Sequence, residues 1–199
     1  MKRQNLKNKM SIILICLAIL NLFYSTDCYS KTKKIVMIIA SSDFRDEEYK
    51  VPKAIFEKDG YSIIVASSSL SESTGMLGMK VKPNITLDKV IVDDYDAVVF
   101  VGGRGSEEYF TNTVAHKIAK DAFDKGKVLA AICIAPIILA NTGLLKGKKA
   151  TCNDSENLIK KGAHYTGKSV EQDGKIITGI GPESSKEFAE TILRLLNTQ

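Results

Sequence analysis

Of the residues able to do chemistry in this 199-residue chain, Cys133 has the most telling surroundings. It closes the run Val128-Leu129-Ala130-Ala131-Ile132, and Ile134-Ala135-Pro136 leads on into a helical segment through Leu139. A buried strand that feeds a cysteine directly into a helix follows the logic of a nucleophile elbow, in which a sharp turn exposes the side chain. Helix N-terminal N–H groups beside the sulfur would favour thiolate over thiol and depress its pKa. The segment alone fits equally well a buried cysteine packing as a small hydrophobe.

Two other strand ends carry polar chemistry. Gly102-Gly103 follows the apolar run Ala97–Val101, and a glycine there brings a backbone N–H close enough for an oxyanion hole, with the Ile134 N–H as second donor. An ordinary turn explains the same pair. Gly102-Gly103-Arg104-Gly105 lacks the spacing of a dinucleotide fingerprint. Asp43-Phe44-Arg45-Asp46-Glu47-Glu48 is an acidic cluster at a helix start, a pattern that usually complements the helix dipole on a solvated surface. Two scattered histidines, His116 and His164, and two distant cysteines offer no metal-ligand cluster, and no cofactor motif is present.

The elements that must position these groups alternate. Lys34–Ala40, Tyr61–Ala66, Ala97–Val101 and Val128–Ile132 are continuous apolar, β-branched or small-residue runs, the pattern of strands buried on both faces. Asp46–Asp59 reads as a helix with Val51, Ala54, Ile55 and Phe56 inward, ended by Gly60. Val114–Lys125 reads as a second, with Val114, Ile118, Ala122 and Phe123 inward. Ser67–Gly75 reads as a loop, and Met79–Leu87, carrying Pro83-Asn84, as a small antiparallel excursion. Lys149–Cys152, a short helix around Leu158, Ile176-Ile177 and a C-terminal helix with Phe188, Ile192 and Leu195 complete the chain. Alternating strands and helices imply a doubly wound α/β sandwich with a mostly parallel sheet.

The first thirty residues stand apart. Lys2, Arg3, Lys7 and Lys9 precede an apolar run from Ser11 to Phe23, and a polar stretch ends at Ser30. As a helix that run rises roughly 20 Å, short of the ~30 Å of a bilayer core, so a signal cleaved after Ser30 is preferred over an uncleaved membrane anchor. Ser25-Thr26-Asp27 before Cys28 does not suit a lipoprotein site. Residues 31–199 then form one domain, exported to a secreted, periplasmic or lumenal location. Without Lys2, Arg3, Lys7, Lys9 and Asp27, the 28 basic and 23 acidic residues become 24 and 22, a balance that gives no support to nucleic-acid binding. Cys133 and Cys152 are the cysteines that remain, too few for a disulfide framework but enough for one bridge.

Phe44-Arg45-Asp46-Glu47-Glu48 with Pro52, Val101-Gly102-Gly103 and Ala130-Ala131-Ile132-Cys133 together resemble the ThiJ/PfpI family in order and spacing. Gly162-Ala163-His164-Tyr165 and the segment from Asp173 to Gly179 extend the resemblance over the chain after residue 30. It implies a flavodoxin-like fold, usually a homodimer, with Cys133 as nucleophile and Glu48 as the glutamate that hydrogen-bonds its sulfur. Gly103 and Ile134 map to the oxyanion-hole donors. A carboxyl close to a thiolate is expected to be protonated, because like charges in contact disfavour each other, and it can then act as acid and base.

The departures narrow the reading. Peptidase-type relatives carry histidine directly after the cysteine, where this chain has Ile134, so peptidase activity is disfavoured. Glyoxalase-type relatives hold a histidine near the nucleophile, and counting back from His164-Tyr165 puts Cys152 there. His116 falls in a helix, and His164 in a motif read as structural. The leading expectation is a cysteine-dependent hydrolase or lyase for small reactive carbonyls or their adducts, of glyoxalase or deglycase type. The alternative is a non-enzymatic redox-responsive stress or chaperone-like protein, with Cys152 as a redox partner of Cys133.

Overall fold

The computed structural model describes residues 33–198. The expected signal segment and its cleavage point lie outside them. The first strands in chain order are β1 (Lys34–Ile38), β2 (Ser42–Phe44), β3 (Ser62–Ser67), β4 (Ser73–Gly75), β5 (Lys80–Val81) and β6 (Ile85–Thr86). They are followed by β7 (Ala97–Phe100), β8 (Val128–Ile132), β9 (Lys149–Ala150), β10 (His164–Tyr165), β11 (Val170–Asp173) and β12 (Ile176–Gly179). The helices are α1 (Asp46–Lys58), α2 (Thr113–Asp124), α3 (Pro136–Asn141), α4 (Ser155–Lys160) and α5 (Ser185–Leu196).

The central sheet has seven strands in the order β11-β12-β8-β7-β1-β3-β6. All neighbours run parallel except the β11–β12 pair at one edge. β1, β7 and β8 lie at its centre, which is why they read as unbroken apolar runs: β7 and β8 are buried at every residue and β1 at all but Lys34. One core layer holds Phe44, Tyr49, Phe56, Phe188 and Ile192, from α1, α5 and the segments around them, against the sheet. The other holds Ile118, Ala119, Ile138, Leu139 and Leu158, from α2, α3 and α4. This is a doubly wound, flavodoxin-like α/β sandwich. The chain turns to β3 on one side of β1 and crosses to β7 and β8 on the other, so the strand order reverses between β1 and β7. Open α/β sheets bind ligands outside the carboxyl ends of strands at such a point.

Both long helices expected from the sequence form, but each is rotated from its expected face. In α1 the buried residues are Asp46, Glu48, Tyr49, Pro52 and Phe56; Ala54 is exposed, and Val51 and Ile55 are half-buried. Glu48, Pro52 and Phe56 recur every four residues and form the stripe that meets the sheet. Pro52 has no N–H, so the Glu48 carbonyl lacks its usual partner within the helix. In α2 the inward residues are Ala115, Ile118, Ala119 and Ala122, whose small side chains allow close approach to the sheet. Val114 and Phe123 are exposed, and the Lys148 ammonium lies 5.8 Å from the Phe123 ring centre.

The antiparallel excursion is also displaced. Its pairing joins β4 to β5, so part of the expected loop before Gly75 is a strand, while β6 adds to the sheet edge parallel to β3. Asn84 makes that junction: its side-chain oxygen accepts the Val65 N–H, and its own N–H donates to the Val65 carbonyl, each at 2.8 Å. The expected strand Lys149–Cys152 is shorter, with β9 ending at Ala150 and pairing with β10 outside the main sheet. Thr151 and Cys152 instead run past the end of β12, where the Thr151 N–H donates to Thr178 Oγ1 at 2.9 Å.

Candidate active site

Cys133 follows the last residue of β8 and has φ +64°, a conformation that residues with a Cβ rarely adopt. Its N–H donates to the Gly179 carbonyl at 2.9 Å and its carbonyl accepts the Asn153 N–H at 2.8 Å. Both backbone groups are therefore tied to neighbouring segments, and the strained turn is held from two sides. The sulfur emerges half-buried at the end of the sheet, as the elbow requires.

Glu48 reaches the same point from the first turn of α1 and is fully buried. The expectation of a solvated acidic cluster therefore fails for Glu48 and for Asp46, which is also buried. Asp46 accepts the Leu77 and Met79 N–H groups at 2.8 Å each and so fixes the loop between β4 and β5. Glu47 stays half-exposed and pairs with Arg45, whose Nε lies 2.9 Å from its carboxylate. Glu48 Oε2 accepts the Gly102 N–H at 3.1 Å, while Oε1 is buried without a nitrogen or oxygen partner. The remaining neighbour of the carboxyl is the Cys133 sulfur, with which it hydrogen-bonds.

Gly102 and Gly103 pack tightly here. A Cβ on Gly103 would lie 2.4 Å from the Arg45 nitrogen and the Asp43 oxygen, and its φ is +99°. The Arg45 N–H donates to the Gly102 carbonyl at 2.9 Å, which stitches the start of α1 to the end of β7. The Gly103 and Ile134 N–H groups both hydrogen-bond the Cys133 sulfur. The structure thus gathers Cys133, Glu48, Gly103 and Ile134 at one strand-end site.

Electrostatics set the site's protonation. Burial raises Glu48 to about 7, against the lowering influence of Cys133, the Gly102 N–H and the Arg45 charge. A depressed Cys133 pKa was expected; instead burial, followed by the Glu48 charge, pushes the thiol up to about 12. The Gly103 and Ile134 amides pull it down, but two backbone dipoles do not offset desolvation beside a carboxylate. The two groups form a coupled pair in which one proton leaves near neutrality and the second only at high pH.

The sulfur opens into a cavity of about 400 Å³ lined by Arg45, Met76, Arg104, Asn153, Pro182 and Glu183 among others. The sequence gave no signal for these lining residues except for Arg45 and Arg104, which adjoin the quoted motifs. Cys152 is buried beside the site without lining the cavity, and His164 is exposed on β10, away from the positions that line it. His116 is half-buried on α2, its Nε2 2.9 Å from the Phe110 carbonyl oxygen. Among the described residues, no group of three or more His, Cys, Asp or Glu is placed to hold a metal.

A reactive-type elbow cysteine, a buried glutamate against it and a glycine pair beneath both are features of fold and sequence together, and the profile of the DJ-1/PfpI family matches residues 33–195. The chain belongs to the DJ-1/PfpI family. An uncharacterised protein of Methanocaldococcus jannaschii is 39% identical over 198 residues, covering 94% of this chain and 97% of that protein. A protein of Pyrococcus furiosus named deglycase PfpI is 31% identical over 163 residues, covering 81% of this chain and 98% of its own length. The crystal structure of a ThiJ/PfpI domain protein from Brachyspira murdochii superposes with a TM-score of 0.82 at 32% identity, covering 84% of this chain and 98% of that one. Deglycase-named relatives in the DJ-1/PfpI family support hydrolase- or lyase-like activity at the level of the family.

Proposed function

We propose that this DJ-1/PfpI protein is a cysteine-dependent hydrolase or lyase acting on small reactive carbonyls or their adducts, of glyoxalase or deglycase type. The observation that carries the reading is the Glu48 carboxyl set against the Cys133 sulfur at the floor of an open cavity. Once the pair has lost one proton, Glu48 takes the thiol proton as the sulfur adds to the carbonyl carbon. A carbon–sulfur bond forms, the carbonyl π pair moves to oxygen, and the Gly103 and Ile134 amides that face the sulfur lie within reach of that oxygen. Glu48 then returns the proton. The chain has Ile134 after the nucleophile, and an isoleucine can move no proton, so peptide cleavage is disfavoured.

The reading includes export through the N-terminal segment and assembly as a homodimer. The test is turnover of methylglyoxal, and release of a methylglyoxal adduct from an amino acid, by the chain beginning at Lys31. Turnover lost in Cys133→Ala and in Glu48→Gln supports the proposal. Turnover unchanged in Cys133→Ala would overturn it.

A further inference from the structure

Cys152 is a nucleophile for which the carbonyl reaction has no use. It is 1% exposed and packs in the core layer of α2, α3 and α4, whereas the Cys133 sulfur borders the opposite layer. The 2.8 Å hydrogen bond from the Asn153 N–H to the Cys133 carbonyl joins the two segments at backbone distance. Ordinary peptide dimensions then hold the Cα atoms of Cys133 and Cys152 within about 8 Å of each other, and closer for any bent arrangement. A disulfide needs a Cα separation of roughly 4.4–6.8 Å, so a small local adjustment suffices. The sulfurs also sense each other: the charge of Cys133 is among the influences that raise Cys152. The Cys152 sulfur accepts the Asp154 N–H at 3.2 Å and its S–H points to the Asp154 carbonyl at 3.5 Å, contacts that a side-chain rotation gives up.

We propose that Cys133 and Cys152 form a dithiol centre that reduces hydroperoxides, with Cys133 attacking and Cys152 resolving. In the first step the Cys133 sulfur attacks the outer oxygen of a hydroperoxide and the O–O bond breaks. The thiol proton, carried by Glu48, leaves with the alkoxide as an alcohol, and Cys133 becomes a sulfenic acid. In the second, the Cys152 sulfur attacks the Cys133 sulfur; the sulfenic hydroxyl leaves with the Cys152 proton as water, and a disulfide forms. Two equivalents of an external thiol reduce it, themselves joining as a disulfide. Only Cys133 opens to the cavity, so Cys152 is oxidised through Cys133 and not directly. The bridge diverts the sulfenic acid before it reaches the sulfinic state.

This activity shares Cys133 with the carbonyl reaction but does not rest on it. The test treats the reduced chain beginning at Lys31 with substoichiometric to excess cumene hydroperoxide, followed by blocking with iodoacetamide and non-reducing peptide mapping. A peptide linking Cys133 to Cys152 is expected in the wild type and absent in Cys133→Ser, where Cys152 stays a thiol. In Cys152→Ser and in Cys152→Ala, Cys133 should accumulate sulfinic acid several-fold faster than in the wild type. The wild-type map is decisive even if neither Cys152 variant folds: Cys133 oxidised to sulfinic acid with no linked peptide at any dose overturns the proposal. So does oxidation of Cys152 in Cys133→Ser. Methylglyoxal turnover by the reduced wild type is measured in parallel, so failure of the carbonyl reading shows there and failure of the dithiol reading shows in the map.

Discussion

A Cβ added to Gly102 would lie 2.6 Å from the Cβ of Cys133 and 2.6 Å from Glu48 Oε2. Gly102 is the floor on which the thiol and carboxyl meet, and its N–H is also the donor that holds Glu48. Nothing larger than hydrogen fits without moving one of the two.

Gly102→Ala should therefore separate Glu48 from Cys133 rather than merely crowd the core. Overpacking of a close-packed interior costs about 1–3 kcal/mol or more. Displacement of reacting groups by about 1 Å costs roughly 100-fold in rate. Thermal or urea unfolding together with methylglyoxal turnover checks both. Loss of turnover with stability unchanged would mean that the alanine is accommodated by moving the pair alone; wild-type turnover would show that the apposition is not needed.

The rate of Cys133 alkylation by iodoacetamide should rise with pH through a step near 7. Below it the pair holds two protons and no base is present to take the thiol's. Above it Glu48 is charged and accepts that proton as the sulfur reacts. In Glu48→Gln the step near 7 should vanish. The thiol then titrates alone, below about 12, because the charge that helped push it there is gone. A step near 7 that survives the substitution would assign that proton to another group.

How far the site was legible depends on how local its causes are. β1, β7 and β8 announce themselves because strands buried on both faces are continuous apolar runs, and Cys133 is legible because it sits directly on the end of one. Glu48 is different. By residue pattern alone it belongs to a solvated helix start; it is buried because Gly102, 54 residues away, lacks a side chain and offers an N–H. The resemblance singled it out where periodicity could not. The helix faces were misjudged for a related reason. In α2 the sheet accepts alanines where bulkier Val114 and Phe123 have the higher hydrophobicity, and in α1 it accepts Glu48 and Pro52 over Val51 and Ala54. The thiol's high pKa is likewise a property of the assembled pocket, since it comes first from burial and then from Glu48.

The N-terminal segment makes a prediction independent of the site. If residues 1–30 direct export and are removed, the native protein begins at Lys31, just before the first described residues. N-terminal sequencing of protein from the source cells, with fractionation, checks this. A chain starting at Met1 in the membrane fraction would favour the uncleaved anchor, and one in the cytosol would remove export from the proposal.

Glu48 should also cost the fold stability, by an amount that depends on pH. Its pKa is raised from 4.5 to about 7, so between those values the folded state binds a proton that the unfolded state has released. The sign follows: stability from this group is fully present below 4.5 and is lost as the pH rises through 7. A shift of that size corresponds to about 3 kcal/mol. Glu48→Gln carries no such titration. Its unfolding free energy relative to wild type should therefore become more favourable by about 3 kcal/mol between pH 4.5 and 8, while its turnover falls. Glu47→Gln is the control, because Glu47 is half-exposed and its pairing with Arg45 is that of a surface ion pair, worth ~1 kcal/mol at most. Urea titrations of the three proteins at several pH values decide the matter. Parallel pH curves for wild type and Glu48→Gln would show that Glu48 does not hold its proton in the fold, and equal effects from the two substitutions would remove Glu48 from its special place beside Cys133.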